Sequence, residues 1–352
     1  MTRPIIVALA AIAALQLASA SSAQKKSVAV FLLAGQSNME GKAQNILWEH
    51  QAVAKETAAF FAPFRDKKNE EWVTRDDVFI KYLGRHGNLT LGYGSPGRTG
   101  LEYAFGVRVG DALKEPVLLI KAAWGGRAIR KGFRSPSAGL PPEEALSKEL
   151  AQAQKKVTNQ NEKRDRNDPM PTMADITKAY GKDYRAMMAE FREAMRDYGK
   201  LFPELKGREL DLRGFVWFQG WNDQYGGAEL EYEQNMKHFI HDVRKDLDAP
   251  KLPFVIGVMG QNGKKTAGGA MATIQGAQMA MEKVPELRGN VRAIRTDVLQ
   301  DEAAAKLYPE WKKRLEEWKR TGSDHPYHYL GSAIWFSRIG FELADATLAL
   351  SR

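Results

Sequence analysis

Cysteine is absent from the chain. No disulfide framework can brace it, and no thiol is present to carry a bacterial lipid anchor. Long apolar runs are missing beyond the first residues, so nothing after them reads as a transmembrane helix. No nucleic-acid motif accompanies the formal net charge of +9. The basic excess reads either as affinity for an anionic polysaccharide or envelope, or as plain solvated surface. Histidine is scarce: the six present make a short list for proton transfer near neutral pH.

What is there begins with MTRPIIVALAAIAALQLASASSA, residues 1–23, which sets Arg3 before an apolar stretch and closes on small residues at Ala18, Ala20 and Ala23. This is the layout of a secretory signal peptide cleaved after Ala20 or Ala23. A membrane anchor is the alternative, but the stretch is short for a span of about 20 residues, and small residues rather than a basic stop follow it. The expectation is a secreted or periplasmic protein. Its working part, residues 24–352, is long enough for one large α/β domain or two small ones.

The chain is organised around Val28 to Gly41, VAVFLLAGQSNMEG. An unbroken apolar run ends abruptly in Gly35-Gln36-Ser37-Asn38, which reads as a buried parallel strand delivering a serine into a tight turn before a helix. A nucleophilic serine needs an exposed oxygen and nearby backbone N–H groups for the developing oxyanion, and such a turn supplies both. The plainer reading is a polar turn after a core strand.

From Ala43 to Arg75 the sequence is charged and aromatic without a clean period, and is expected to wrap the rim of the site. Val78 to Leu83 reads as a strand, His86 to Thr99 as a long glycine-rich loop, and Gly100 to Lys114 as a helix ended by Pro116. VLLIKA, residues 117–122, reads as a second buried strand that stops at Ala123-Trp124-Gly125-Gly126-Arg127. Residues 141–206 read as a charged, mostly helical excursion. GFVWF, residues 214–218, is a strand ending in Gln219-Gly220-Trp221-Asn222-Asp223. Strands at 253–259 and 291–296, helices at 232–247 and 270–283, and a closing helix from Gly331 to Leu350 complete the pattern. Alternating strand and helix argues a parallel sheet with helices on both faces, where polar sites gather beyond the carboxyl ends of the strands. Ser37, Gly126, Gln219 and Asp297 all fall there.

A serine hydrolase also needs a base and a group to orient it. His50, His86, His238 and His241 lie in surface-like or charged stretches, whereas Asp324-His325-Pro326-Tyr327-His328 packs a carboxylate and two imidazoles just before the closing helix. With Ser37 in GQSNM, a strand ending in WGG, a strand ending in WFQG and this Asp/His cluster, the chain resembles the SGNH (GDSL-type) hydrolases. The resemblance is closest to the carbohydrate esterase branch of sialate O-acetylesterases and acetylxylan esterases.

That resemblance implies an α/β fold, a three-layer α/β/α sandwich of flavodoxin-like type with a mostly parallel sheet, as one domain after the leader. It implies removal of O-acetyl groups from a polysaccharide or glycan with neither metal nor other cofactor. Ser37 would be the nucleophile, and Ser37, Gly126 and the Gln219 amide would form the oxyanion hole. His328 would be the base, and Trp221, Asn222 and Arg127 would meet the substrate. Two features depart from the family pattern. Asp324 and His328 are separated by three residues where two are usual, which leaves Asp324, Asp297 or no acid to orient the base, with His325 a rival base. Trp221 stands where a glutamate is common, where it could stack on a sugar. A glycan-binding protein without catalysis on the same fold is the alternative reading.

Overall fold

A computed structural model of the chain describes residues 27–66 and 70–351. The stretch read as a signal peptide lies outside them. Nine strands form: β1 (Ser27–Gly35), β2 (Ala43–Gln44), β3 (Val78–Tyr82), β4 (Arg85–Asn88), β5 (Arg98–Thr99), β6 (Val117–Ala123), β7 (Glu209–Phe218), β8 (Phe254–Val258) and β9 (Val291–Arg295). Seven make one sheet in the order β4-β3-β6-β1-β7-β8-β9, and β2 pairs with β5 in a small ribbon. All pairings of the large sheet are parallel except β3 with β4, a hairpin that replaces the start of the expected loop.

β1 is the hub because its side chains are apolar at every position from Val28 to Ala34 and can therefore be buried on both faces. Val28, Val30, Leu32 and Ala34 enter one core, with the helices Lys182–Leu201, Tyr232–Asp246 and Gly269–Ala280 packed over it. Ala29, Phe31 and Leu33 enter the other, under the helices Leu101–Ala112 and Ala333–Leu350. The result is a three-layer α/β/α sandwich. The chain first builds outward on the β6 side of β1 and then crosses to β7 on the other side. The carboxyl end of β1 is thus the switch point, where a crevice opens.

Two stretches differ from the sequence reading. Trp48, Phe61 and Phe64 do not wrap the rim: all are fully buried in the core, where Trp48 and Phe64 meet the Tyr103 ring and Phe61 packs against Trp48 and Phe64. Within residues 141–206, the helix Lys182–Leu201 buries Tyr184, Met187, Met188 and Phe191 against the sheet, so it is a layer of the sandwich. The helices Glu143–Arg164 and Met173–Ala179 stand apart on a small cluster of Leu146, Ile176 and Tyr180. No described helix is long and apolar enough to cross a membrane.

Candidate active site

Ser37 opens a short helix, Ser37–Glu40, directly after β1. The turn is tight because β1 and β7 nearly touch at their ends: a Cβ on Gly35 would lie 2.1 Å from the Phe218 carbonyl oxygen. Gln36 N donates to that oxygen (3.2 Å), and Trp124 N donates to the Gly35 carbonyl (3.3 Å), which ties the ends of β7, β1 and β6 together. Among the described residues the Ser37 and Gly126 N–H groups have no protein acceptor, the former because the first amides of a helix lack an intrahelical partner. Gly126 has φ +70° and open space where a side chain would project, so its turn requires glycine and leaves room for a ligand.

The neighbouring amide is fixed by a residue that the sequence reading passed over. Glu40 Oε1 accepts from Gly125 N (2.8 Å), while Oε2 meets the Lys42 ammonium at 2.5 Å and the Ser95 hydroxyl at 3.2 Å. Beneath it, Lys121 on β6 donates to the Glu40 carbonyl (2.9 Å) and the Tyr93 carbonyl (2.7 Å) and pairs with Glu102 at 3.0 Å. Both ions of that pair are wholly buried, and burial pulls the Lys121 ammonium below its ordinary value. Removing one partner of such a pair costs about 3–5 kcal/mol, because the other is left charged and dry.

His328 arrives from the far end of the chain. Its Nδ1 is buried and lies 3.1 Å from Asp324 Oδ2, an ion-pair contact outside hydrogen-bond geometry, with no hydrogen-bond partner. Asp324 in turn accepts from Arg98 Nη1 (2.6 Å) and from the His325 N–H (2.7 Å). Burial pushes the Asp324 carboxyl up, but His328, the His325 amide and Arg98 outweigh it and hold it at about 2. Asp297, the other candidate acid, is bound by the Arg295 guanidinium through both oxygens. The structure therefore brings Asp324 to the imidazole. His325 faces elsewhere, with Nδ1 on the Tyr308 hydroxyl at 2.9 Å.

The loop that carries His328 is held in an uncommon shape. Tyr329 and Leu330 both have left-handed backbone angles, φ +52° and +60°, and both are buried. Such residues cost about 1–3 kcal/mol each and persist only where packing dictates them. Here the Tyr329 hydroxyl accepts from Gly260 N (2.9 Å) and bonds Thr296 Oγ1 (2.8 Å), and Asn38 Nδ2 donates to the Tyr327 carbonyl (3.1 Å). That last bond joins the residue after Ser37 to the residue before His328.

Gln219 sits where expected, at the end of β7, but its amide is committed. Nε2 donates to the Arg127 carbonyl (2.9 Å) and to Asp223 Oδ2 (2.6 Å), which uses both of its hydrogens. The expected oxyanion donor is in this structure a brace between two strand-end loops. Asp223, almost wholly buried, also accepts from Ile129 N and Arg130 N, each at 2.9 Å. Burial outweighs these donors and pushes its carboxyl up to about 6. Asn222 bonds Gln36 (3.0 Å), Arg127 lies 3.4 Å from Asp183, and Trp221 is half-buried with its ring 6.1 Å from Tyr327.

Ser37 and Gly126 thus follow β1 and β6 at the carboxyl edge of a three-layer α/β/α sandwich, and the loop of Asp324 and His328 is tied to that edge through Asn38. Residues 27–164 and 171–306 match the family described as carbohydrate esterase, sialic acid-specific acetylesterase. The chain belongs to that family. The match ends at residue 306, before Asp324 and His328. Comparison with curated proteins found no match. Among solved structures, a protein from Arabidopsis thaliana shares the fold, with a TM-score of 0.50 at 16% identity over 93% of this chain and 100% of that one. A carbohydrate acetylesterase from Xanthomonas citri gives a TM-score of 0.47 at 15% identity, covering 92% of this chain and 56% of that one. NanS gives 0.43 at 12%, covering 79% of each chain.

Proposed function

We propose that this chain is an exported serine esterase that removes O-acetyl groups from a glycan through an acetyl ester on Ser37. Ser37 Oγ attacks the acetyl carbonyl carbon while His328 takes the hydroxyl proton, and Asp324 holds the imidazole in place through Nδ1. The Ser37 and Gly126 N–H groups receive the oxyanion. Collapse expels the sugar oxygen, which takes the proton from His328, and leaves Ser37 acetylated. Water, deprotonated by His328, then attacks the ester, so that acetate leaves and Ser37 recovers its proton. Export rests on the leader composition.

The observation that carries this reading is the Asp324–His328 pair at 3.1 Å on a loop bonded to Asn38, the residue beside Ser37. Labelling with a fluorophosphonate tests it. The account predicts one adduct on the Ser37 peptide, lost when an acetyl ester competes and absent from Ser37→Ala. A folded protein that hydrolyses acetyl esters but takes up no label at Ser37 would contradict it.

A further inference from the structure

From the base outward runs a continuous row of aromatic rings. The Tyr327 ring lies 4.5 Å from that of His328 and is itself exposed. Trp221 neighbours it at 6.1 Å. His325 stacks on Tyr327 at 5.4 Å with an interplanar angle of 30°, and Trp311 meets His325 edge-on at 6.0 Å. Tyr308 runs parallel to Trp311 at 6.4 Å, 13° apart, and its hydroxyl bonds His325. His325 is exposed, and Trp221, Tyr308 and Trp311 are each partly so. Tyr308 and Trp311 pack against the buried Trp318 and Trp221 against the other core, yet each leaves part of its ring in contact with water beside the exposed Tyr327 and His325.

We propose that Trp221, Tyr327, His325, Tyr308 and Trp311 form a ledge that seats successive sugars of a chain-like glycan, so that the substrate is an acetylated oligo- or polysaccharide rather than a single sugar. This rests on the reading of Ser37 and His328 as the catalytic pair. A pyranose presents a face of C–H groups and a rim of hydroxyls, and an amphipathic ring matches both. Three ring-to-ring steps of 6.1, 5.4 and 6.0 Å link Trp221, Tyr327, His325 and Trp311, four rings where a single sugar needs one to stack on. The rings are held by one another and by the Tyr308–His325 bond, so binding orders little that is not already ordered. Beside Tyr308 and Pro326 an open basin of ≈ 430 Å³ carries Gln300, Lys265 and Lys306, polar groups placed for sugar hydroxyls. Continuity with the catalytic imidazole favours a glycan over a protein partner.

The test uses the full chain, p-nitrophenyl acetate, and acetylated oligosaccharides from disaccharide to hexasaccharide prepared from xylan, glucomannan and pectin. On the best series, kcat/KM is expected to rise about tenfold or more with chain length, and Trp311→Ala to remove most of that rise while Trp311→Phe restores it. The readout is the ratio of glycan to p-nitrophenyl acetate turnover, with circular dichroism to show that each variant is folded. No dependence on length, a rise that survives Trp311→Ala, or hydrolysis of p-nitrophenyl acetate with no glycan turned over would each overturn the ledge. If p-nitrophenyl acetate is not hydrolysed either, it is the acyl-enzyme reading that falls. Calorimetry of the Ser37→Ala protein with the same hexasaccharides then decides the ledge: binding weakened about tenfold by Trp311→Ala supports it, and absence of binding overturns it.

Discussion

Ser37 follows a strand buried on both faces and paired on both edges, whereas His328 rides a loop outside the sheet that is held by hydrogen bonds and ring packing from distant parts of the chain. The place of Ser37 follows from local sequence and strand pairing. The place of His328 follows from its loop's contacts with Asn38, Arg98, Gly260 and Thr296, each far away along the chain, and from two left-handed residues that those contacts must keep in shape. The comparison teaches that a residue set by strand pairing and a residue set by a tethered loop can fail in different ways. The strand end is robust, because its geometry comes with the core. The loop is stable only while its anchors hold.

Breaking the loop side at its ion pair is expected to have the largest effect. Asp324→Asn keeps the shape but cannot stabilise the imidazolium, and kcat should fall by about 10⁴-fold with KM little changed. Steady-state rates on one acetyl ester check it; a loss confined to KM would mean that Asp324 positions substrate.

On the strand side, Glu40→Gln weakens the grip on Gly125 N and on Lys42 without touching Ser37. Loss of a charged acceptor should lower kcat by about tenfold, through a less well held oxyanion turn. Rates that match those of the unaltered protein would show that the turn is held by Trp124 N and the strand pairing alone.

The smallest effect is on stability. Asp223 holds its proton up to about 6 when folded, against an ordinary value of 3.8. Between those values the folded protein binds more proton than the unfolded chain, so this group makes stability fall as pH rises through the window and level off above it. Urea unfolding of the wild type and Asp223→Asn at pH 4 and pH 7 should therefore show the wild type losing stability relative to the variant at the higher pH. A wild type that gains on the variant between those pH values would contradict the buried, proton-retaining carboxyl.

Much of the strand side was legible in the sequence. VAVFLLAG is apolar at consecutive positions, VLLIKA and GFVWF repeat that signature, and each ends in a turn that reaches the site. Lys121 inside VLLIKA was a visible anomaly, a charge in a buried strand that demands a partner such as Glu102. Trp48, Phe61 and Phe64 were misplaced because an aromatic stretch without a period does not say whether it faces a core or a rim. The place of Gln219 at a strand end is legible but its bracing role is not, since that depends on Asp223 four residues on and on Arg127 from another strand end. The loop side was the least legible. Arg98 lies in a glycine-rich segment with no motif, and the left-handed Tyr329 and Leu330 carry none of the residues that announce that backbone.

The central claim is that Ser37 and His328 act as one unit, and the double variant measures it most directly. Ser37→Ala, His328→Ala and the combination should each reduce kcat on a single acetyl ester by a similar factor, the double falling no further than the worse single, because members of one proton-transfer unit fail together. A His328→Ala protein that keeps its rate, or losses that multiply in the double variant, would contradict the account.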